Sequence, residues 1–487
     1  MKEKIQKILT IFTILFLPSL IFAQPKTDAE RLWELGDKAY QEKRYKEAIY
    51  YYEQSLARCG GNDYECSASN YNGLGSSYED MGNDEKALFY YEKAIAAARK
   101  LDNKEWLADD LFLAGSIYNR KAIDYEKAYR YLLESKKLFS ELAIKDSLAI
   151  VFHELGKSAR ALGKYEEAIQ SFNESARLYR EKGDHFSIGA NMSQIGLVYS
   201  KMGQYEKALS YYEESLKIAK QYKNYEAMSI AMREIADAYF DLHYQDKAIS
   251  YYLEAIEIQK KHSLKGELGI TLNNLGTLYM DLGRYEKALS QYIESHKISE
   301  ELNDKATKAT NLNNIGQVYA KLGMSDKALA YYQQSLEIEK QLKRPDYLAY
   351  VLNNIGMEYF RVGKYNEALQ YLKEALEIDK KLNNPYLLET RLNNIGAVYL
   401  RQGKYREAEQ VFLERKKLED MIKPNRMFHP GLVEVYLLTG RYDDALKLAQ
   451  ELPPSWRDNT NRYIEYYTQV GLATKGKGLY KDSAEYL

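Results

Sequence analysis

The sequence predicts an all-α solenoid of antiparallel helix pairs, and three observations carry that prediction. The stretch from Leu272 to Arg415 reads as four versions of one segment, each opening on a leucine, two asparagines, a second aliphatic residue and a glycine. Those glycines, Gly276, Gly316, Gly356 and Gly396, recur every 40 residues. Twelve residues after each stands an alanine: Ala288, Ala328, Ala368 and Ala408. Self-similarity at a fixed period means a stack in which each unit covers the apolar face of the next, since one unit alone cannot bury its own.

A chain of 487 residues would ordinarily divide into about three domains. Repetition overrides that expectation, because a stack grows by adding units and never saturates one core. Lysine and arginine number 69 against 70 acidic residues, a net charge of -1. No basic excess therefore favours nucleic acid. The outlying count is 47 tyrosines, most of which fall at the same few positions of each unit.

Residues 1–23 have the pattern of an export signal. Lys2, Lys4 and Lys7 precede an apolar run from Ile8 to Phe22, and Ala23 is a small residue suited to cleavage before Gln24. The run is short for a bilayer span and no comparable segment follows. An uncleaved N-terminal anchor is the competing reading. No cysteine stands just after the run, which argues against a lipoprotein. The expected mature chain is exported, periplasmic or extracellular, without a membrane span.

Residues 24–487 then form one solenoid of about twelve repeats, starting near 29, 68, 108, 149, 189, 229, 269, 309, 349, 389, 426 and 464. With the ladder glycine counted as position 8, its equivalents are Gly36, Gly75, Gly115, Gly156, Gly196, Ala236, the four of the ladder, Val433 and Gly471. Position 20 is a small residue, and position 11 a recurring tyrosine such as Tyr199, Tyr279, Tyr319 and Tyr399. Positions 4, 7, 8 and 11 share one face of a first helix, A, by the three-and-four spacing. Glycine at position 15, as in Gly283, Gly363 and Gly403, ends that helix. Helix B follows with alanine at 20, an aromatic at 24 and a small residue at 27. Glycine inside helix A costs about 1 kcal/mol against alanine, so its recurrence implies a compensating close approach of helix B through position 20.

This pattern resembles the tetratricopeptide repeat family, with small residues at 8, 20 and 27 and aromatics at 11 and 24. The resemblance covers essentially everything after the signal. The family's usual period is about 34 residues; a period of 40 resembles the extended subclass found in kinesin light chains and LGN-type scaffolds. It implies a right-handed superhelix with the A helices lining its concave face. Three repeats depart from the pattern. The sixth has Ala236 and His243 where glycine is usual, the eleventh follows the segment Lys423 to Pro430, and the twelfth stops at Leu487 inside its helix B.

Cys59 and Cys66 are the only cysteines. They either close a short loop as a disulfide, as an oxidising compartment favours, or remain two thiols. The sharper candidates lie on the face of helix A away from its packing side, at positions 5, 9, 12 and 13. Position 5 is Asn273, Asn313, Asn353 and Asn393 in four successive repeats. An amide both donates and accepts, and so can bond the backbone of an extended peptide. Kinesin-light-chain-like repeats use asparagine in this way, so the resemblance implies peptide contact. The competing role is hydrogen bonding between repeats, which suits the neighbouring Asn274, Asn314, Asn354 and Asn394 better.

Gln317 at position 9 joins the candidate set, as do the cations Lys321, Arg361 and Arg401 at position 13. Aligned cations favour an acidic ligand or a terminal carboxylate; alternatively they complement the negative end of each helix. Asp241 and Asp281 break that stripe in the two preceding repeats. The six histidines show no metal spacing, and His296 reads as a packed substitution for leucine. No metalloprotease, phosphate-loop or serine-hydrolase motif appears, so neither catalysis nor a cofactor is expected. The expected role is an exported scaffold binding a peptide or partner protein. The alternative is the sensing arm of a larger signalling protein or enzyme, a histidine kinase or CHAT protease-like chain. Self-association through the C-terminal end is a third expectation.

Overall fold

The computed structural model describes residues 27–422, 429–450 and 471–472. The export-signal stretch and nearly all of the twelfth repeat lie outside the described residues. Among those described, all regular structure is helical: twenty-two helices run from Asp28–Gln41 to Tyr442–Gln450. The eighth repeat shows the rule, with helix A at Lys305–Lys321 and helix B at Ser325–Leu342. Short turns fold each helix back on its partner. Asp304 caps the A helix by accepting from the Thr307 backbone N–H at 3.0 Å.

The turns impose a left-handed backbone conformation. Gly283 and Gly403 adopt φ of 67° and 70°, which only glycine takes without a clash at Cβ. His243 holds the same conformation at φ 63°, at a cost of about 1 kcal/mol for a side-chain-bearing residue.

Position 8 is glycine for a reason that corrects the sequence reading. A Cβ on Gly316 would lie 2.7 Å from the ring of Tyr332 and 3.2 Å from the carbonyl oxygen of Ala328. On Gly276 it would lie 2.7 Å from Tyr292, and on Gly156 2.7 Å from Phe172. The aromatic of position 24 therefore lies flat against the A helix and demands the glycine first. The backbone at position 20 comes second.

Burial also extends beyond the expected face. Asn311, Leu312, Ile315, Gly316 and Val318 are all buried in the eighth A helix. Ile315 and Val318 pack with Ala288, Tyr292 and Ile298 of the preceding B helix. Each A helix thus has two packed sides, one against its own B helix and one against the B helix before it.

The recurring tyrosines form an outer seam. Tyr319 stacks on Tyr331 with centroids 5.4 Å apart, and Tyr359 on Tyr371 at 5.5 Å. Lys327 sits 5.2 Å over the Tyr319 ring, a contact worth about 0.5–1 kcal/mol at an exposed site.

The chain divides into two compact bodies, Met1–Ala227 and Met228–Leu487. The division falls in the helix Tyr225–Asp241 of the sixth repeat, the repeat with Ala236 and His243. The forty-residue period runs through this point, and the two departures from glycine lie in the same helix–turn unit.

Candidate functional site

The four asparagines of position 5 lie on successive A helices of the second body, Lys265–Asp281, Lys305–Lys321, Pro345–Arg361 and Pro385–Arg401. Each of the first three is tied to the repeat that follows. Asn314 donates its amide to the Asn273 carbonyl at 2.8 Å, Asn354 to Asn313 at 2.9 Å, and Asn394 to Asn353 at 2.8 Å. Positions 5 and 6 therefore share the joint, with 6 donating and 5 accepting. That leaves the position-5 side chains their N–H groups as donors, which reach solvent where the residue is exposed.

Exposure varies along the row. Asn313 is 3% exposed and its amide turns toward Asn314 at 3.4 Å. Asn273 and Asn353 are half-buried, and Asn393 is exposed. Position 6 of the eleventh repeat is Gly431, which has no amide to donate. Among the described residues, Asn393 alone of the four keeps its whole side chain clear of a joint.

The remaining candidates separate in the same way. Gln317 donates to the Tyr350 hydroxyl at 2.9 Å, tying position 9 to the next A helix. Arg361 bonds Glu358 and donates to Ser325 Oγ at 2.6 Å. It is exposed but already occupied. Lys321 and Arg401 are exposed and have no ion pair among the described residues.

Beneath this face the position-24 tyrosines bring their hydroxyls through to position 9. Tyr292 Oη lies 3.0 Å from Thr277 Oγ1, and Tyr252 donates to Asp237. Burial pushes the Asp237 carboxyl up to about 6, against the opposing pull of Tyr252, Arg233 and Asn274. In the ninth and tenth repeats Leu372 and Phe412 replace the tyrosine, opposite Met357 and Ala397. The floor turns apolar there.

Sequence reasoning missed the polar pins inside the joints. Ser295 donates to the Gly269 carbonyl at 2.8 Å and accepts from Asn311 at 2.9 Å. The same serine–asparagine pin joins Ser175 to Asn191 at 3.1 Å and Ser55 to Asn70 at 2.9 Å. Between the ninth and tenth repeats an ion pair takes over. Arg391 and Asp379 lie 2.9 Å apart with side chains 3% and 0% exposed. The pattern of serine at position 27 and asparagine at position 3 of the next repeat was visible as a signal.

Cys59 and Cys66 are joined, with Cα atoms 5.8 Å apart. Asn70 donates to the Cys66 carbonyl at 2.8 Å, so the bridge abuts the first joint. His296 is half-buried 3.8 Å from Glu300, and burial lowers its imidazole pKa. Among the described residues no acidic, histidine or cysteine cluster has the geometry of a metal site. No helix among them is long and apolar enough to cross a membrane.

Stacked helix pairs with a polar, partly open A-helix face define a helical-repeat scaffold for protein–protein interaction. Models of the tetratricopeptide repeat match residues 28–100, 187–261, 267–341 and 347–415, and further such models match 149–182 and 393–460. The chain belongs to the tetratricopeptide repeat family. No curated protein matches it. Among solved structures, a signal transduction ATPase with a tetratricopeptide repeat sensor from Pyrococcus horikoshii is similar at TM-score 0.50 and 19% identity. That match covers 74% of this chain and 54% of the ATPase. BtubC (BKLC) from P. vanneervenii is 24% identical at TM-score 0.42, over 45% of this chain and 92% of its own. The quorum sensor NprR from B. thuringiensis is 14% identical at TM-score 0.49, over 73% and 98%. These likenesses concern the fold.

Proposed function

We propose that this chain is an exported scaffold whose second body captures a linear segment of a partner protein along its A-helix face. One observation carries the reading. Asn273 and Asn353 spend their carbonyls on the joints and keep N–H donors for solvent, Asn393 keeps the whole amide, and Asn313 between them is buried. Donors one or two helix steps of roughly 10 Å apart suit the carbonyls of an extended chain, which advances about 3.3 Å per residue. A donor then meets about every third or sixth residue. Donors and cations together favour acceptor-rich, acidic segments.

Export is supported by the basic start, apolar run and small residue of positions 1–23. It is also supported by the joined pair Cys59–Cys66, a bond that persists in oxidising compartments. The mature chain then works in the periplasm or outside the cell.

The test uses the full mature chain and a displayed library of random peptides about twelve residues long. Recovered peptides are expected to bind the Asn393→Ala chain about tenfold more weakly, a loss of about 1.4 kcal/mol, with thermal melting unchanged. An empty selection, or peptides indifferent to both Asn393→Ala and Asn353→Ala, overturns the reading.

A further inference from the structure

Building on that capture reading, we infer that the captured segment is charge-segregated: basic where it lies over the sixth and seventh repeats, acidic where it lies over the eighth to tenth. The position-13 side chains of the second body are, in order, Asp241, Asp281, Lys321, Arg361 and Arg401, and all five are exposed. They stand in the last turn of five successive A helices. A cation there complements the helix dipole, whereas an anion opposes it. Helix stability therefore accounts for Lys321, Arg361 and Arg401 but leaves Asp241 and Asp281 running against the local preference.

The same division appears in their neighbours. In the sixth and seventh repeats Asp237 at position 9 adds a carboxylate, and Arg233 and Glu267 balance one another as a pair. In the eighth to tenth, position 9 holds Gln317, Met357 and Ala397, without an acid. Glu358, beside Arg361, is buried and paired with it, so Lys321 and Arg401 carry the unbalanced positive charge of this stretch.

Distance keeps the two ends independent. From Asp281 to Arg401 is three helix steps, about 30 Å at roughly 10 Å each. That exceeds the Debye length of about 8 Å at physiological salt several-fold. Each end of a bound chain meets its own field, and a near-neutral protein offers two opposite local charges. About nine extended residues span the interval. A uniformly acidic segment gains over one end and loses over the other; a segregated segment gains over both.

The experiment titrates the full mature chain with three end-blocked peptides of about twelve residues. One carries lysines at one end and glutamates at the other, one alternates the same residues, and one carries glutamates alone. The segregated peptide is expected to bind about tenfold tighter than the alternating one at low salt, with the advantage lost at high salt. In the Asp241→Lys/Asp281→Lys chain the all-glutamate peptide should become the preferred one. Equal binding of the segregated and alternating peptides, or an unchanged ranking in the charge-reversed chain, overturns this inference alone. Failure of all three to bind overturns it together with the capture reading.

Discussion

In the first body, position 5 of successive A helices holds Asn72, Phe112, His153 and Ser193. In the second it holds Arg233 and then four asparagines. The first body's hydrogen bonds at this face are individual: Asn72 donates to Asp110 at 2.6 Å, and His153 Nδ1 meets Asn191 Oδ1 at 3.0 Å. The second body repeats one amide bond three times over. Yet the packing beneath is common to both, with Phe172 against Gly156 and Tyr332 against Gly316. Stacking fixes the apolar positions in every repeat and leaves the outward face free to differ. A uniform outward row is therefore a property of the second body's face and is not required for stacking.

The largest effect should come from a joint where the second body abandons the serine–asparagine pin. Asp379→Leu strands the Arg391 guanidinium and should cost about 3–5 kcal/mol in denaturant unfolding. Asp379→Leu with Arg391→Leu should recover most of that loss, because the pair carries its own desolvation cost. Next, Gly156→Val and Gly316→Val should each destabilise by about 3 kcal/mol or less, from overpacking against the ring. Similar losses in the two bodies would support a common packing rule, and a clear inequality would break it.

A pH titration separates the bodies further. Burial pushes the Asp110 carboxyl, in the first body, up to about 8, and Asp237, in the second, up to about 6. Both values lie above that of the unfolded chain, so the native state holds the extra proton and stability falls as pH rises from about 4 toward each value. Asp110→Asn should flatten the decline up to about pH 8, as followed by thermal melting in a pH series. At the small end, His243→Gly should raise stability by about 1 kcal/mol, since it relieves a left-handed backbone in the sixth repeat.

The repeat architecture was legible because stacking allows few substitutions at positions 8, 20 and 24, so the beat survives in the residues themselves. The row of asparagines was legible too, but its division of labour was not. Positions 5 and 6 are both asparagine, and only the bonds between residues 41 apart decide which accepts. Arg361 read as one of three open cations, whereas Glu358 occupies a position that buries Leu278, Val318 and Val398 elsewhere. A carboxylate in that apolar slot needs a partner, and this signal was present in the sequence. The joint pins were harder to read, because the ninth repeat has Ala375 at position 27 and Arg391 at position 3 of the next pairs instead with Asp379, four residues further on. The division at Ala227 falls in the repeat whose Ala236 and His243 replace glycine, while the forty-residue period continues through it.

Hydrogen–deuterium exchange of the full chain, with and without a peptide recovered from the library, tests the central claim most directly. The account predicts added protection on the A helices Lys265–Asp281, Lys305–Lys321, Pro345–Arg361 and Pro385–Arg401, with the A helices of the first body unchanged. Protection confined to the B helices or to the first body would contradict it.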